Sequence, residues 1–452
     1  MANSYLARTV SSGGNQKTWT LSVWLKRGNL TDSIFFSYQD PGSTGRSDIS
    51  IASNKLYVSW NPTGSAWFYA KTNPTRLLRD TNAWYHIVVA CDTTQATNTN
   101  RLKIYINGEQ VGSDTQDTYP TQDSVTGFNA NTFVHEIGRY AHDGTSSYYD
   151  GYMSHFAWVD GQALAPTVFG ETDSSSGIWK FKAPSGVTWG TNGFHLKFEN
   201  SGNLGLDSSG NSNTFSVNGN GRQALDTPSN VYSTFNPLFK SNSLPTGGLS
   251  NGNNTAKTNG ADSTWRSAFS SIATPPSGKY YFEVKWSSGS HFIMGAASAP
   301  TLSKNNFKDL TDASYSGQYI CLYGSNWYSN GSNQSTYQSG ISLASGVIGM
   351  MALDRDNNKI WFGVNGSWGG SQNPATNTGG QSLPGDLDEF WNFGISSYSN
   401  SGTGEYQANF GNGYFGTTAI TSAGSNGNGS LFEYDVPSGY YALNTKNINT
   451  YG

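Results

Sequence analysis

Residues 346–368, GVIGMMALDRDNNKIWFGVNGSW, constrain what this chain can fold into more than any other stretch. Val347, Gly349, Met351 and Leu353 alternate with Ile348, Met350 and Ala352, so a period-2 run is apolar on both of its faces. Such a strand has to be covered on both sides, as in the interior of a sandwich. Residues 354–358 (DRDNN) are turn chemistry, after which Ile360, Phe362 and Val364 restart the alternation. Asn365-Gly366 then supplies the dipeptide that accepts the two positive φ angles of a type I′ hairpin. The stretch predicts a β-meander.

The same grammar runs through the rest of the chain. Trp19, Leu21, Val23 and Leu25 face one way and Thr20, Ser22, Trp24 and Lys26 the other, which predicts a half-buried strand. Residues 84–91 (WYHIVVAC) are apolar on both faces and predict a central strand. Residues 102–111 (LKIYINGEQV) predict a second type I′ hairpin around Asn107-Gly108. Further strands are expected at 34–36, 56–58, 151–161, 179–181, 194–198, 280–286 and 292–297, while 315–337 reads as an aromatic-rich polar loop. Gly numbers 54 of 452, or 54/452 ≈ 12%, and charged residues make up 12%. An ordinary domain has about 7% and roughly 25% respectively, so short strands and tight turns are favoured over helices. The expected fold class is all-β: two consecutive antiparallel β-sandwich (jelly-roll) domains. The first spans 1–200, a Ser/Asn/Gly-rich connector 201–239, and the second sandwich with a C-terminal tail 240–452.

Several function classes are disfavoured. The net charge is −4 and no Lys/Arg cluster exists, so no nucleic-acid partner is expected. No apolar run approaches 18 residues, so no membrane span is expected. The opening MANSYLARTV lacks the apolar core of a secretory signal, and Cys91 and Cys321 sit in separate apolar runs. Two buried free thiols made in a reducing cytoplasm are the expectation.

Candidate chemistry is sparse. His86 lies mid-strand with no nucleophile or acid in pattern, which favours a structural histidine. The pairs His135-Glu136 and His142-Asp143 bracket a loop and bring no cysteine, a poor metal set. A glycosidase needs two carboxyl groups about 5–5.5 Å or roughly 6.5–9.5 Å apart. The nearest candidate, residues 386–389 (DLDE), lies in the second half rather than the first. Asp354, Asp356 and Asn358 imitate the start of a calcium loop, but Lys359 replaces its glycine and no Glu follows at position twelve. Residues 411–416 (GNGYFG) match a dinucleotide fingerprint by letter without the helix it needs. No catalytic residue, metal or cofactor is expected. Aromatic residues beside Asn, Ser and Asp remain: Trp67 and Tyr69, Tyr148 and Tyr149, and Tyr323, Trp327 and Tyr328. Ring faces that stack and amides that read hydroxyls suit sugar, and rims of this kind also suit subunit contacts.

Motifs in order carry three resemblances. Trp19, Thr20, Ser22 and Trp24, then Trp84, His86 and Val88, then residues 104–108 (IYING), then Gly151, Tyr152 and Phe156, resemble the laminin-G/concanavalin-A-like family over residues 1–170. That implies a two-sheet jelly roll. Residues 278–284 (GKYYFEV), Ile360-Trp361-Phe362 with Asn365-Gly366, residues 373–376 (NPAT) and 409–411 (NFG) are similar to SPRY domains across 250–420. The departure is Ser345-Gly346, where that family has Gly-Asp. The order of parts, with residues 4–9 and 17–20, 226–238 and 436–444, looks like virion proteins of marine tailed bacteriophages. This implies a non-enzymatic virion surface component, tail-fibre-like, appendage or capsid-decorating, synthesised in the host cytoplasm. Its implied partners are other virion proteins, further copies of itself within the particle, and host-surface glycan. The alternatives are a glycan-active hydrolase of concanavalin-like fold and a cellular SPRY adaptor that binds peptides.

Overall fold

The structure is a computed structural model that describes residues 4–42, 44–63, 68–71, 76–112, 119–142, 144, 146–240, 248–257, 264–289, 291–298, 318–385, 388–399 and 404–452. Trp67, Asp143, Asp386 and Leu387 lie outside the described residues, as does the side chain of Tyr69. The chain divides into two compact units, Met1–Gln223 and Ala224–Gly452. Both are built almost wholly from antiparallel β-strands, with one short helix, Thr445–Tyr451, at the end of the second.

In the first unit a seven-stranded sheet runs, in spatial order, Ser216–Asn218, Tyr5–Thr9, Val134–Ile137, Ser33–Gln39, Arg46–Ala52, Lys55–Asn61 and Phe68–Lys71. The opposing sheet of six runs Phe194–Leu196, Gly151–Asp160, Thr18–Arg27, Trp84–Asp92, Leu102–Ile106 and Glu109–Val111. Alternate residues meet between them. Trp19, Leu21, Val23, Ile87, Val89 and Trp158 from one sheet pack on Phe36, Tyr38, Ile49 and Val58 from the other. At the centre Trp19 stacks on Trp158 at 4.8 Å. The expected half-buried character of residues 19–26 does not hold: Thr18–Arg27 is buried on both faces after its first residue. The cause is residues 164–189, a strap that lies over the outer face of the six-stranded sheet. Phe169 there joins Val88, Ala157 and Val159 in a second apolar cluster, with Leu164, Val187 and Trp189 packed against it.

The second unit repeats the plan. Its seven-stranded sheet runs Phe235–Lys240, Thr264–Ser270, Trp391–Ser399, Ile293–Ser298, Tyr319–Tyr323, Asn326–Ser329 and Ser332–Thr336. The other sheet runs Leu249–Ser250, Thr255–Lys257, Glu405–Asn409, Lys279–Ser288, Ile348–Asp354, Lys359–Val364 and Gln381–Ser382. Tyr441–Ala442 adds to it in parallel beside Lys279–Ser288. Both faces of Ile348–Asp354 are buried as its sequence demands. Met351 and Leu353 enter the main core, whereas Met350 and Ala352 meet Tyr232, Phe432, Val436 and Tyr440 from outside. The expected loop at 315–337 is, from Tyr319 onward, a three-stranded meander whose turns are Gly324-Ser325 and Asn330-Gly331.

The expected connector is shared out between the two units. Ser216–Asn218 is the edge strand beside Tyr5–Thr9, and the Asp207 carboxylate accepts the backbone N–H groups of His195, Ser209 and Asn213. From the other side, Phe235 belongs to the second core. Polar, turn-rich sequence reads as linker because the strand it pairs with, Tyr5–Thr9, is distant in sequence, which periodicity does not register.

The two Asn-Gly turns are built alike. Asn107 and Gly108 have φ of 51° and 81°, Asn365 and Gly366 48° and 83°. Each asparagine also reaches sideways: Asn107 Oδ1 accepts the His86 N–H at 2.8 Å and Asn365 Oδ1 the Ile348 N–H at 3.0 Å. Over each glycine lies an aromatic ring, Trp179 from the first unit's strap or Tyr434 from the C-terminal stretch of the second unit, so close that a Cβ would stand 2.5 Å or 2.9 Å from it. Gly366→Val therefore adds backbone strain of about 1–2 kcal/mol and displaces Tyr434. In calorimetry of the full chain it should lower the melting transition of the second unit by several degrees, and Gly108→Val that of the first, each leaving the other unit's transition in place.

Candidate functional site

Under the first strap sits His86. Its Nδ1 accepts the Trp179 indole N–H at 2.9 Å, so the ring proton rests on Nε2, which lies 2.9 Å from Ser22 Oγ. Trp24 stacks on one face at 4.7 Å. Burial pushes its pKa down to about 3. Ser22, His86 and Trp179 thus form a sealed packing element without an acid member. Alongside, His155 stacks on Phe181 at 3.6 Å and His195 on Trp189 at 5.7 Å, and burial brings both down to about 4. His135 turns into the core among Phe36, Phe128 and Trp158, again lowered to about 3 by burial. Glu136, one residue on, faces outward, so this pair splits across the sheet. Among the described residues no group of three His, Cys, Asp or Glu could hold a metal ion.

The outer face of the first seven-stranded sheet is polar. Leu6, Ile137, Phe36, Ile49 and Val58 align facing the core, which sends the next row, Ala7, Glu136, Ser37, Asp48 and Ser59, outward. Asp48 accepts the hydroxyls of Ser50 at 2.7 Å and Ser59 at 2.5 Å. Glu136 takes Arg139 in a two-point bond, Nε to Oε2 at 2.7 Å and Nη2 to Oε1 at 2.5 Å. The guanidinium lies 3.4 Å over the Tyr5 ring, and Tyr5 meets Tyr148 at 6.4 Å. Burial pulls the Arg139 pKa down, but the bonds to Glu136 and Tyr148 outweigh it and hold the pKa above its ordinary value. Nearby, Arg46 Nη1 meets His142 Nε2 at 2.7 Å, and His142 packs beside Tyr140 at 5.7 Å. Tyr148 therefore belongs to a built surface cluster. Tyr149 instead turns inward, its hydroxyl donating to the Lys26 carbonyl at 3.0 Å and its ring edge-on to Phe35. Burial raises the Tyr149 pKa. Tyr69 stands opposite Ser59 in register, toward the far edge of the same sheet. Between the edges of the two sheets there is a cleft of about 100 Å³ lined by Phe68, Leu102, Ile104, Val111 and Tyr119. Ligand pockets run to roughly 300–1,000 Å³, so this cleft is too small to enclose a ligand of that kind.

The second unit carries a separate aromatic cluster on the outer face of its seven-stranded sheet. Phe269, Ile293, Ala297, Tyr319 and Cys321 form its floor, with Trp265, Tyr323 and Tyr328 packed on them. Tyr323 is bonded through its hydroxyl to His291 Nδ1. Trp265 lies 6.0 Å edge-on from Tyr323 and 5.6 Å from His291, and Tyr328 lies 6.1 Å from Tyr323. Strand parity separates the remaining candidate: Trp327, one residue from Tyr328, packs against the main core. The loop setting expected for it is a strand pairing Leu322, which draws that ring inward.

The acids of the calcium-like run serve as turn anchors. Asp354 accepts Lys279 Nζ at 2.9 Å and the Asn357 N–H, and Asp356 accepts the Gly278 N–H. Residues 411–416 lead into the short strands Tyr414–Phe415 and Thr418–Ala419, not into a helix. Cys91 and Cys321 are free and buried. No helix among the described residues is long and apolar enough to cross a membrane.

Residues 2–168, within the first sandwich, match the family model described as Concanavalin A-like lectin/glucanases superfamily. Solved structures similar in fold include the SPRY domain of human HERC1, at 18% identity over 38% of this chain and 96% of that one, TM-score 0.28. Domains LG4-5 of the mouse laminin α1 chain align at 9% identity over 90% of this chain and 79% of that one, TM-score 0.32. Domain 4 of an extracellular arabinanase from Geobacillus stearothermophilus, in complex with arabinotriose, aligns at 17% over 34% of this chain and 65% of that one, TM-score 0.26. No curated protein matches the sequence.

Two measurements check these placements. Trp327→Ala should cost the second unit about 2 kcal/mol, below the ~3–5 kcal/mol of a fully buried aromatic because the ring is half-buried, while Tyr328→Ala costs less because its ring lies on the outer face. Chemical denaturation of each variant reads the difference. In the first unit, four histidines with pKa values held below 6.5 must stay neutral in the fold. Their contribution is complete above about pH 6.5 and is lost as pH falls toward 4 and 3, since the unfolded chain then binds more protons. The first unit's melting temperature should fall steadily between pH 7 and 4.

Proposed function

We propose that this protein is a non-enzymatic binding component of a bacteriophage particle, built into a tail appendage or the capsid surface in several copies. It presents its aromatic surface clusters to host-surface glycan or to neighbouring virion proteins. The observation that carries the binding reading is the state of three acids in the lectin-type half. Asp48 is held by Ser50 and Ser59, Glu136 by Arg139, and Asp160 by the backbone N–H groups of Asn15 and Asn192 with the Asn129 amide. Each is committed to a neutral or cationic partner within the fold, whereas glycoside hydrolysis needs one carboxyl group free to give a proton and a second facing it. Aromatic rings with adjoining amides and hydroxyls suit reversible contact.

The virion reading rests on the order of parts, and two of those parts are joined in the fold. Residues 226–238 and 436–444 meet where the Ser233 N–H donates to the Leu443 carbonyl at 3.0 Å and Tyr232 packs with Val436, Tyr440 and Ala442.

Antibody labelling of purified particles in electron microscopy should place the protein on the particle surface. Incubation of the purified chain with host-surface polysaccharide should release no reducing ends. Release that is abolished by changing a single Asp or Glu to its amide would establish a hydrolase instead.

A further inference from the structure

The chain beyond Gly411 returns across the outer face of the sheet that holds Lys279–Ser288 and Ile348–Asp354. Phe432, Val436, Tyr440 and Ala442 pack there on Tyr281, Met350, Ala352 and Trp361. Within this contact lies one carboxyl group, fully buried: Glu283, which projects from Lys279–Ser288 on the same face as Tyr281. Its Oε1 accepts the Tyr281 hydroxyl at 3.0 Å and the Tyr434 backbone N–H at 2.9 Å. Its Oε2 accepts the Glu433 backbone N–H at 2.9 Å and the Asn409 amide at 3.3 Å.

The strap is thus hung by two consecutive backbone amides on one buried acid. Tyr281 faces it from its own strand, Asn409 from Glu405–Asn409 and Met350 from Ile348–Asp354. From the strap come the Tyr434 phenol and the carboxyl groups of Glu433 and Asp435. All of these groups are acidic or neutral, so the four bonds are made without a cation to balance the charge.

We propose that Glu283 is a proton-operated latch on the C-terminal strap, holding residues 421–444 against the sheet when neutral and loosening them when ionised. Neutral, the acid keeps both backbone N–H bonds, and the Tyr281 contact reverses, the acid's own O–H donating to the phenol oxygen in place of the phenol donating to Oε1. Ionised, it is a buried charge that is better solvated with the strap lifted away. Burial, opposed by the four donors, brings the pKa of this group up to about 7 from the ordinary 4.5. The docked state therefore takes up a proton that the lifted state releases. Docking is favoured in full below about pH 4.5, weakens as pH rises, and levels off above about 7. Lifting the strap uncovers Tyr281, Met350 and Trp361, an apolar sheet face fit for assembly contacts.

The test is hydrogen exchange on the full chain from pH 4.5 to 8.5, with each amide rate normalised to an unstructured peptide at the same pH. Protection of the Glu433 and Tyr434 amides should fall roughly tenfold per pH unit between about 4.5 and 7, then stay level. Glu283→Gln should remove this slope, while Glu433→Gln and Asp435→Asn should keep it. A flat wild-type profile overturns the proposal, and so does an unchanged slope in Glu283→Gln. If Glu283→Gln does not fold, the other two variants decide: loss of the slope in either assigns the titration elsewhere and sinks the latch.

Discussion

A sheet buried on both faces needs a third layer, and that requirement shapes each half of this protein. Trp84–Asp92 and Ile348–Asp354 are apolar on their outward sides as well as inward. A two-sheet sandwich covers only the inward side. In each unit chain outside the central sandwich strands supplies the missing cover: residues 164–189 over the first and 411–444 over the second. Burying one large side chain contributes about 1.5–3 kcal/mol, so several such contacts per strap set a gain comparable with the net stability of a domain. The same geometry recurs at the anchor points. An Asn-Gly turn at positive φ leaves its second residue bare, and a ring from the strap, Trp179 or Tyr434, occupies the space.

How much of this was readable depends on whether the signal is local. Alternation located the central strands, and the dipeptides Asn107-Gly108 and Asn365-Gly366 located the turns because positive φ is a property of two adjacent residues. The two-sided strands announced that cover existed without saying what supplied it. Trp179 and Tyr434 are ordinary aromatics in polar sequence, and their role follows from what lies opposite. The surface clusters behave likewise. Tyr148, Tyr323 and Tyr328 stood out beside small polar residues, but Tyr5, Arg139, Trp265 and His291 join them from other strands. Trp265 and Phe269 share a parity in Thr264–Ser270, and that alternation was the one signal that could have drawn attention to them. Trp327 and Tyr328 show the opposite limit, since adjacent residues of a strand face opposite sides.

The straps also decide which surfaces remain for recognition. With one sheet of each unit roofed by its own chain, the candidate clusters lie on the outer faces of the two seven-stranded sheets. There the first unit offers a polar row flanked by tyrosines and the second an aromatic group on an apolar floor. Neither cluster presents a free acid pair, and the small cleft at the sheet edges adds no enclosed site. Contact through ring faces and amides is what this arrangement can provide.

Under the straps the two units differ in one respect that follows from residue choice alone. The group that the first strap touches beside its turn is a base, His86, bonded by Trp179; the group in the second is an acid, Glu283, bonded by the backbone of Tyr434. Burial opposes the charged form of either. For a histidine the charged form appears as pH falls, for a glutamate as pH rises. The first cover is therefore strained by acid and the second by approach to neutrality, although both are the same structural device. One fold element, repeated within a chain, acquires opposite responses to protons because the side chain it was laid upon differs.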